Sequence, residues 1–124
     1  MTINEAITQI DSLKANTYTP TEKIGWLSRA DFMIKRNIID THEGAEAVEF
    51  DGYTEDTDPN TVLLAPAPYD EMYIRYLEAQ IDYTNGEYAK YNNAILMFNA
   101  SYEAYASYYN RNHMPKSAGN RFLF

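Results

Sequence analysis

Two short stretches of this chain hold residue types that could do chemistry. His42-Glu43-Gly44-Ala45-Glu46 has the outline of a zinc-protease helix, in which two histidines four positions apart hold the metal and a glutamate activates water. Glu46 stands where the second histidine is required, Gly44 interrupts the helix, and His113, the other histidine of the chain, has no spacing relation to His42. Asp51, Glu55, Asp56 and Asp58 gather carboxylates that would suit calcium, but they lack the Asp-x-Asp-x-Asp-Gly order and closing glutamate of an EF-hand loop. Asp70 and Glu71 are adjacent acids at a helix start, where the helix dipole favours them without any acid–base role. There is no phosphate-cradling glycine loop, nucleophile elbow or dinucleotide fingerprint. With no cysteine there is no thiol nucleophile and no thiolate cage. The chain reads as a non-enzyme without metal or cofactor. Glu49, Asp51, Glu55, Asp56 and Asp58 read as a solvated acidic loop or one that faces a channel.

The remaining chemistry is aromatic. Ten of the twelve tyrosines lie between Tyr69 and Pro115. Ile74, Leu77, Ile81, Thr84, Tyr88, Tyr91, Ile95, Phe98, Tyr102, Tyr105 and Tyr109 alternate spacings of three and four, the signature of a helical face packed on another helix. Buried phenols need hydrogen-bond partners, so a seam rich in tyrosine suits a partly polar neighbour such as a second subunit. Tyr73, Tyr76, Tyr83 and Tyr108 fall off this seam and define a second aromatic face, read as a subunit interface. The chain ends in Lys116 and then Arg121-Phe122-Leu123-Phe124, a basic tail with an apolar tip suited to docking in a partner's groove.

These residues must be positioned by helices. Thr2 and Glu5 have capping-box spacing ahead of the stripe Ile3, Ala6, Ile7, Ile10, Leu13, and that helix is expected to stop near Lys14 or Ala15, with Asn16 able to take a left-handed cap. Thr19 and Glu22 form a second box, with Pro20 at the first helical position. The run to about Ile39 places Ile24, Leu27, Ala30, Ile34 and Ile38 on one side. From residue 41 to 66, Gly44, Gly52, Pro59 and Pro66 punctuate an acidic stretch without helical period, predicting an extended loop or a small β-hairpin around Val48 and Phe50. A further helix starts after Pro68. Asn85-Gly86 sits inside the heptad repeat, so either one long helix runs through it or two helices meet there, and a break near 84–87 is favoured. The fold class is therefore mainly α: a small bundle of about four helices with an extended loop or β-hairpin between the second and third. Residues 1–113 form the helical domain, 41–67 its acidic insertion and 114–124 the tail.

The chain has 124 residues and a net charge of −8, one domain's worth of sequence. Between Asp40 and Asp58 there are eight acids and no lysine or arginine, whereas beyond Glu103 there are no acids at all. That excess disfavours nonspecific binding to a phosphate backbone. The start has no secretory-signal pattern and no apolar run reaches membrane-span length, so a soluble protein made in the cytoplasm is expected.

Glu22-Lys23-Ile24-Gly25-Trp26-Leu27-Ser28, Thr41-His42-Glu43, Ala65-Pro66-Ala67-Pro68-Tyr69-Asp70-Glu71, Tyr76-Leu77-Glu78-Ala79-Gln80-Ile81-Asp82-Tyr83, Asn85-Gly86-Glu87-Tyr88, Tyr91-Asn92-Asn93 and Phe98-Asn99 together resemble the head–tail connector proteins of tailed phages and prophages of Gram-positive bacteria. The resemblance spans about residues 18–116 and rests on the order and spacing of these motifs. It implies a small helical adaptor that assembles as a ring of about twelve copies beneath the portal protein. Such a ring extends the DNA channel without binding DNA specifically, and it presents a docking surface to a stopper or tail-completion protein in the virion neck. The resemblance maps a portal-gripping role onto Lys116 to Phe124. The alternative reading is an acidic helical binding module, or DNA mimic, that captures a basic cellular protein.

Overall fold

A computed structural model describes residues 1–116. Helix α1 (Ile3–Leu13) begins on the expected capping box: the Thr2 hydroxyl accepts from the Glu5 N–H at 3.1 Å, and the Glu5 carboxylate accepts from the Thr2 N–H at 2.8 Å. The helix leaves through Lys14 in an extended backbone conformation. Asn16 takes no left-handed conformation, since no residue other than glycine has positive φ among the described residues. Its side-chain amide instead donates to the Lys14 carbonyl at 2.9 Å, and its amide oxygen accepts from the Tyr18 N–H at 3.2 Å. Helix α2 (Pro20–Asn37) starts on the Thr19–Glu22 box with Pro20 at its first position. It ends slightly before the expected Ile39, because the chain tightens into a single 3-10 turn at Ile39–Thr41.

A second 3-10 turn, Ala45–Ala47, opens on Gly44 with φ +86. The segment that follows runs as bends, turns and irregular backbone over 48–70. Among the described residues there is no β-strand, only isolated antiparallel bridges pairing Thr2 with Val62 and His42 with Pro115. The alternation at Val48 and Phe50 serves packing on α2: Phe50 meets Phe32 edge-on at 4.8 Å and Tyr53 at 4.9 Å.

Helices α3 (Glu71–Thr84) and α4 (Tyr88–Asn112) are separate. Gly86 has φ +77, the Glu87 N–H donates to the Asp82 carbonyl at 2.8 Å and the Gly86 N–H to the Tyr83 carbonyl at 3.0 Å, the two bonds of a Schellman stop. The heptad phase nonetheless carries across: Ile74, Leu77 and Ile81 are buried on α3, and Phe98, Tyr105 and Tyr109 on α4. Only Thr84 and Tyr88, at the turn itself, escape the seam into solvent.

The core is one cluster in which Ile3, Ile10, Leu27, Ile34, Met72, Leu77 and Ile81 are all less than 2% exposed. Each such side chain contributes roughly 1.5–3 kcal/mol relative to exposure. Two ion pairs tie α1 down: Lys23, itself buried, reaches Asp11 at 2.6 Å, and Lys14 reaches the buried Asp82 at 2.5 Å. Burial would raise the Asp11 carboxyl, but the Lys23 ammonium and the Asn16 amide outweigh it and hold that group below its ordinary range.

Candidate functional site

A buried polar centre on α2 anchors the acidic loop. Asp31 lies on the buried side of α2 and is fully inaccessible. Its carboxylate accepts from the Tyr53 hydroxyl at 2.5 Å, from the Tyr73 hydroxyl at 2.5 Å and from the Leu64 N–H at 3.1 Å. The Tyr73 hydroxyl in turn accepts from the Ala65 N–H at 2.7 Å, and the Ser28 hydroxyl accepts from the Tyr53 N–H at 2.9 Å. One carboxylate thus joins α2, both arms of the loop and α3. Burial pushes Asp31 above the ordinary carboxylate range, against the hydroxyls of Tyr53 and Tyr73 and the Leu64 N–H, which favour its charged form. Sealed from solvent, it clasps α2, the loop and α3 together.

Outside this clasp the loop turns its acids to water. Asp51, Glu55, Asp56 and Asp58 are exposed and Glu49 lies beside the half-buried Phe50. The tip is tied by its own hydroxyls, with the Thr54 N–H donating to the Thr57 hydroxyl at 2.8 Å and the Asp56 N–H to the Thr54 hydroxyl at 3.2 Å. Its far arm is fastened to the start of α1, where the Asn4 and Ile3 N–H groups donate to the Pro59 and Thr61 carbonyls at 3.0 Å each. Among the described residues, Lys35 pairs with Asp40, while the seven acids from Glu43 to Asp58 enter no ion pair. Nor do any three His, Asp or Glu side chains converge to hold a metal ion among the described residues.

The four tyrosines read as an interface divide. Tyr73 is fully buried on Asp31 and Tyr76 is 5% exposed against Phe98, so neither is free to meet a neighbouring subunit; this corrects the expectation. The physical reason is that α3 packs on α1, α2 and α4 together, so side chains off the heptad seam also point inward. Tyr83 is 56% exposed and lies edge-on to Tyr88 and Tyr91. Tyr108 is half-buried and packs 5.0 Å from Tyr69, keeping one side in solvent. Leu96 and Met97 add exposed apolar area on α4, a signal that the heptad count passes over.

The root of the tail is fixed beside the start of the loop. The Glu43 N–H donates to the Met114 carbonyl at 2.7 Å and the Lys116 N–H to the Thr41 carbonyl at 2.9 Å. His42 is buried there, with Nδ1 2.6 Å from the Ile38 carbonyl oxygen and Nε2 2.6 Å from the Asn110 side-chain amide. His42 is thus a bracket between α2 and α4, which leaves the His42–Glu46 segment without the geometry of a zinc helix. Lys116 is exposed. Arg121, Phe122, Leu123 and Phe124 lie outside the described residues. One open depression of about 400 Å³ lies between α1 and α3, but Asp70 within it is engaged by the N-terminal ammonium at 3.4 Å. Among the described residues no helix is long and apolar enough to cross a membrane.

No protein-family model, curated protein or solved structure matches this chain.

Proposed function

We propose that this chain is a structural adaptor of a phage neck, not an enzyme: it joins head to tail as a ring beneath the portal protein. The ring, of about twelve copies, would extend the DNA channel and offer the next neck or tail component a surface to dock on. The observation that supports this most directly is the acidic loop. It is fastened at Phe50–Tyr53 and again at Pro59–Thr61, and it bears exposed acids with no ion-pair partner among the described residues. Of these acids, Glu49, Asp51 and Asp58 would face the channel and repel a passing phosphate backbone over roughly a Debye length, about 8 Å at physiological salt, and so let DNA slide without being held. The exposed Tyr83, Leu96 and Met97 provide apolar area for neighbouring subunits. The tail from Lys116 to Phe124 would grip the portal, and the finished assembly would sit in the virion neck after synthesis in the host cytoplasm.

The test is to mix the purified chain with portal rings and separate bound from free protein. Co-migration is expected. Removing residues 117–124 is expected to abolish it while leaving the helical circular dichroism unchanged. The rival reading, an acidic module or DNA mimic, needs carboxylates spread along an exposed face, whereas the acids from Glu43 to Asp58 sit in one loop. Capture of basic cellular proteins with no portal binding would favour that rival.

A further inference from the structure

We infer that the outer face of α2, marked by Gly25, Arg29 and Arg36, seats the acidic loop tip, chiefly Glu55 and Asp56, of a second copy of this chain. The inference rests on the ring reading above and names the two surfaces that meet in it. Spacings of four and seven put Gly25, Arg29 and Arg36 on one side of the helix, and all three are exposed. The Arg29 charge opposes the burial that pushes the Tyr76 hydroxyl's pKa up. The Arg36 guanidinium sits over the Phe32 ring, 5.7 Å from its centre. The Arg36 cation is held on an aromatic support, which lowers the entropy lost when a carboxylate binds it. Among the described residues neither forms an ion pair.

Gly25 adds an independent sign. Gly44, Gly52 and Gly86 all have positive φ, a backbone reason for glycine. Gly25 does not, and a Cβ built there would meet nothing within 4 Å. Nothing within the described chain calls for glycine in the middle of this helix, whose propensity is lowered by it. A bare stretch of helix surface one turn before Arg29 admits the close approach of another backbone.

The complementary surface is on the same chain, yet the two do not pair among the described residues. The anchors on either side of the loop tip hold Glu55 and Asp56 where they pair with neither arginine. Charge complementarity is therefore left for a second copy to satisfy. Because the two surfaces differ, the contact is heterologous, the kind that closes into a ring when the rotation allows it.

The test uses charge exchange. Self-association of the full chain is measured by sedimentation at low ionic strength, in solution and on portal rings, for wild type, R29E/R36E, E55K/D56K and an equimolar mixture of the two variants. Each variant alone is expected to associate about tenfold more weakly or worse, from two exposed pairs turned repulsive. The mixture should recover association, because every contact in an alternating ring is again complementary. Gly25→Leu is expected to raise the melting temperature yet weaken association, a combination that a purely intrachain role does not produce. The inference is overturned if both charge variants, shown folded by circular dichroism, associate like wild type, or if the mixture does no better than either alone. It is also overturned if wild type makes no copy–copy contact in either setting. Portal binding by wild type is scored separately, so portal binding without copy–copy contact removes this interface alone, and self-association without portal binding removes the neck assignment instead.

Discussion

Asp31 carries more of this structure than any other polar residue. Its carboxylate satisfies two buried hydroxyls and a backbone N–H from three separate segments. Asp31→Ala would strand those donors in the core, at a cost of about 3–5 kcal/mol. Tyr73→Phe removes one donor to Asp31 and the acceptor of the Ala65 N–H, and is expected to cost about 1–3 kcal/mol by urea unfolding. The pH dependence follows from the raised folded pKa of Asp31. A carboxyl shifted upward supports the fold fully below its ordinary value, and that support is withdrawn as pH rises through the raised one. The stability of wild type minus that of Asp31→Asn should therefore decline across that window and level off above it, as read by unfolding at stepped pH. The phenols give a second handle. Burial first, then Tyr109 and Asp31, push Tyr105 up to about 12, and burial next to Asp31 moves Tyr53 and Tyr73 higher still. Their support for the fold is complete below the ordinary phenol value and is lost as pH rises through the raised ones. In an alkaline absorbance titration these three should ionise only with cooperative unfolding; early, non-cooperative ionisation of all twelve tyrosines would contradict the described packing.

At the scale of elements, two glycines in similar sequence settings should respond oppositely. Gly86 holds the Schellman stop at φ +77, so Gly86→Ala should destabilise by about 1–2 kcal/mol rather than fuse α3 to α4. Gly25 sits in an open, ordinary helical position, so Gly25→Ala should stabilise by about 1 kcal/mol. Thermal melts of the two variants check the pair. The helices were legible in the sequence because their signals are local: two capping boxes, Pro20, and the Asn85-Gly86 stop. The loop was legible as acidic and irregular, but its anchoring was not. Tyr53 and Tyr73 lie 22 and 42 positions from Asp31, and no local pattern joins them. A signal was present, since Asp31 interrupts the apolar stripe between Leu27 and Ile34, where a charge requires a buried partner. A heptad count places Tyr73 and Tyr76 on an outer face because it assumes one buried face, whereas α3 is enclosed from several sides.

For the whole molecule, one group of acids and two cations stand unpaired among the described residues. Glu55 and Asp56 stand at the loop tip, Arg29 and Arg36 on the outer face of α2, and none of the four is neutralised among the described residues. A lone globule gains little from holding opposite charges apart in fixed positions, while copies packed side by side can bring them together. Contacts of this kind weaken as salt screens them, so ring formation should fall with ionic strength while helix content stays constant. The central claim is that the chain builds a portal-seated ring, and cryo-electron microscopy of portal rings incubated with the purified protein tests it most directly. The expected image is an added ring of copies beneath the portal, with the α2 face of one against the loop of the next. Portal rings that remain bare, with the added protein folded and in excess, would contradict it.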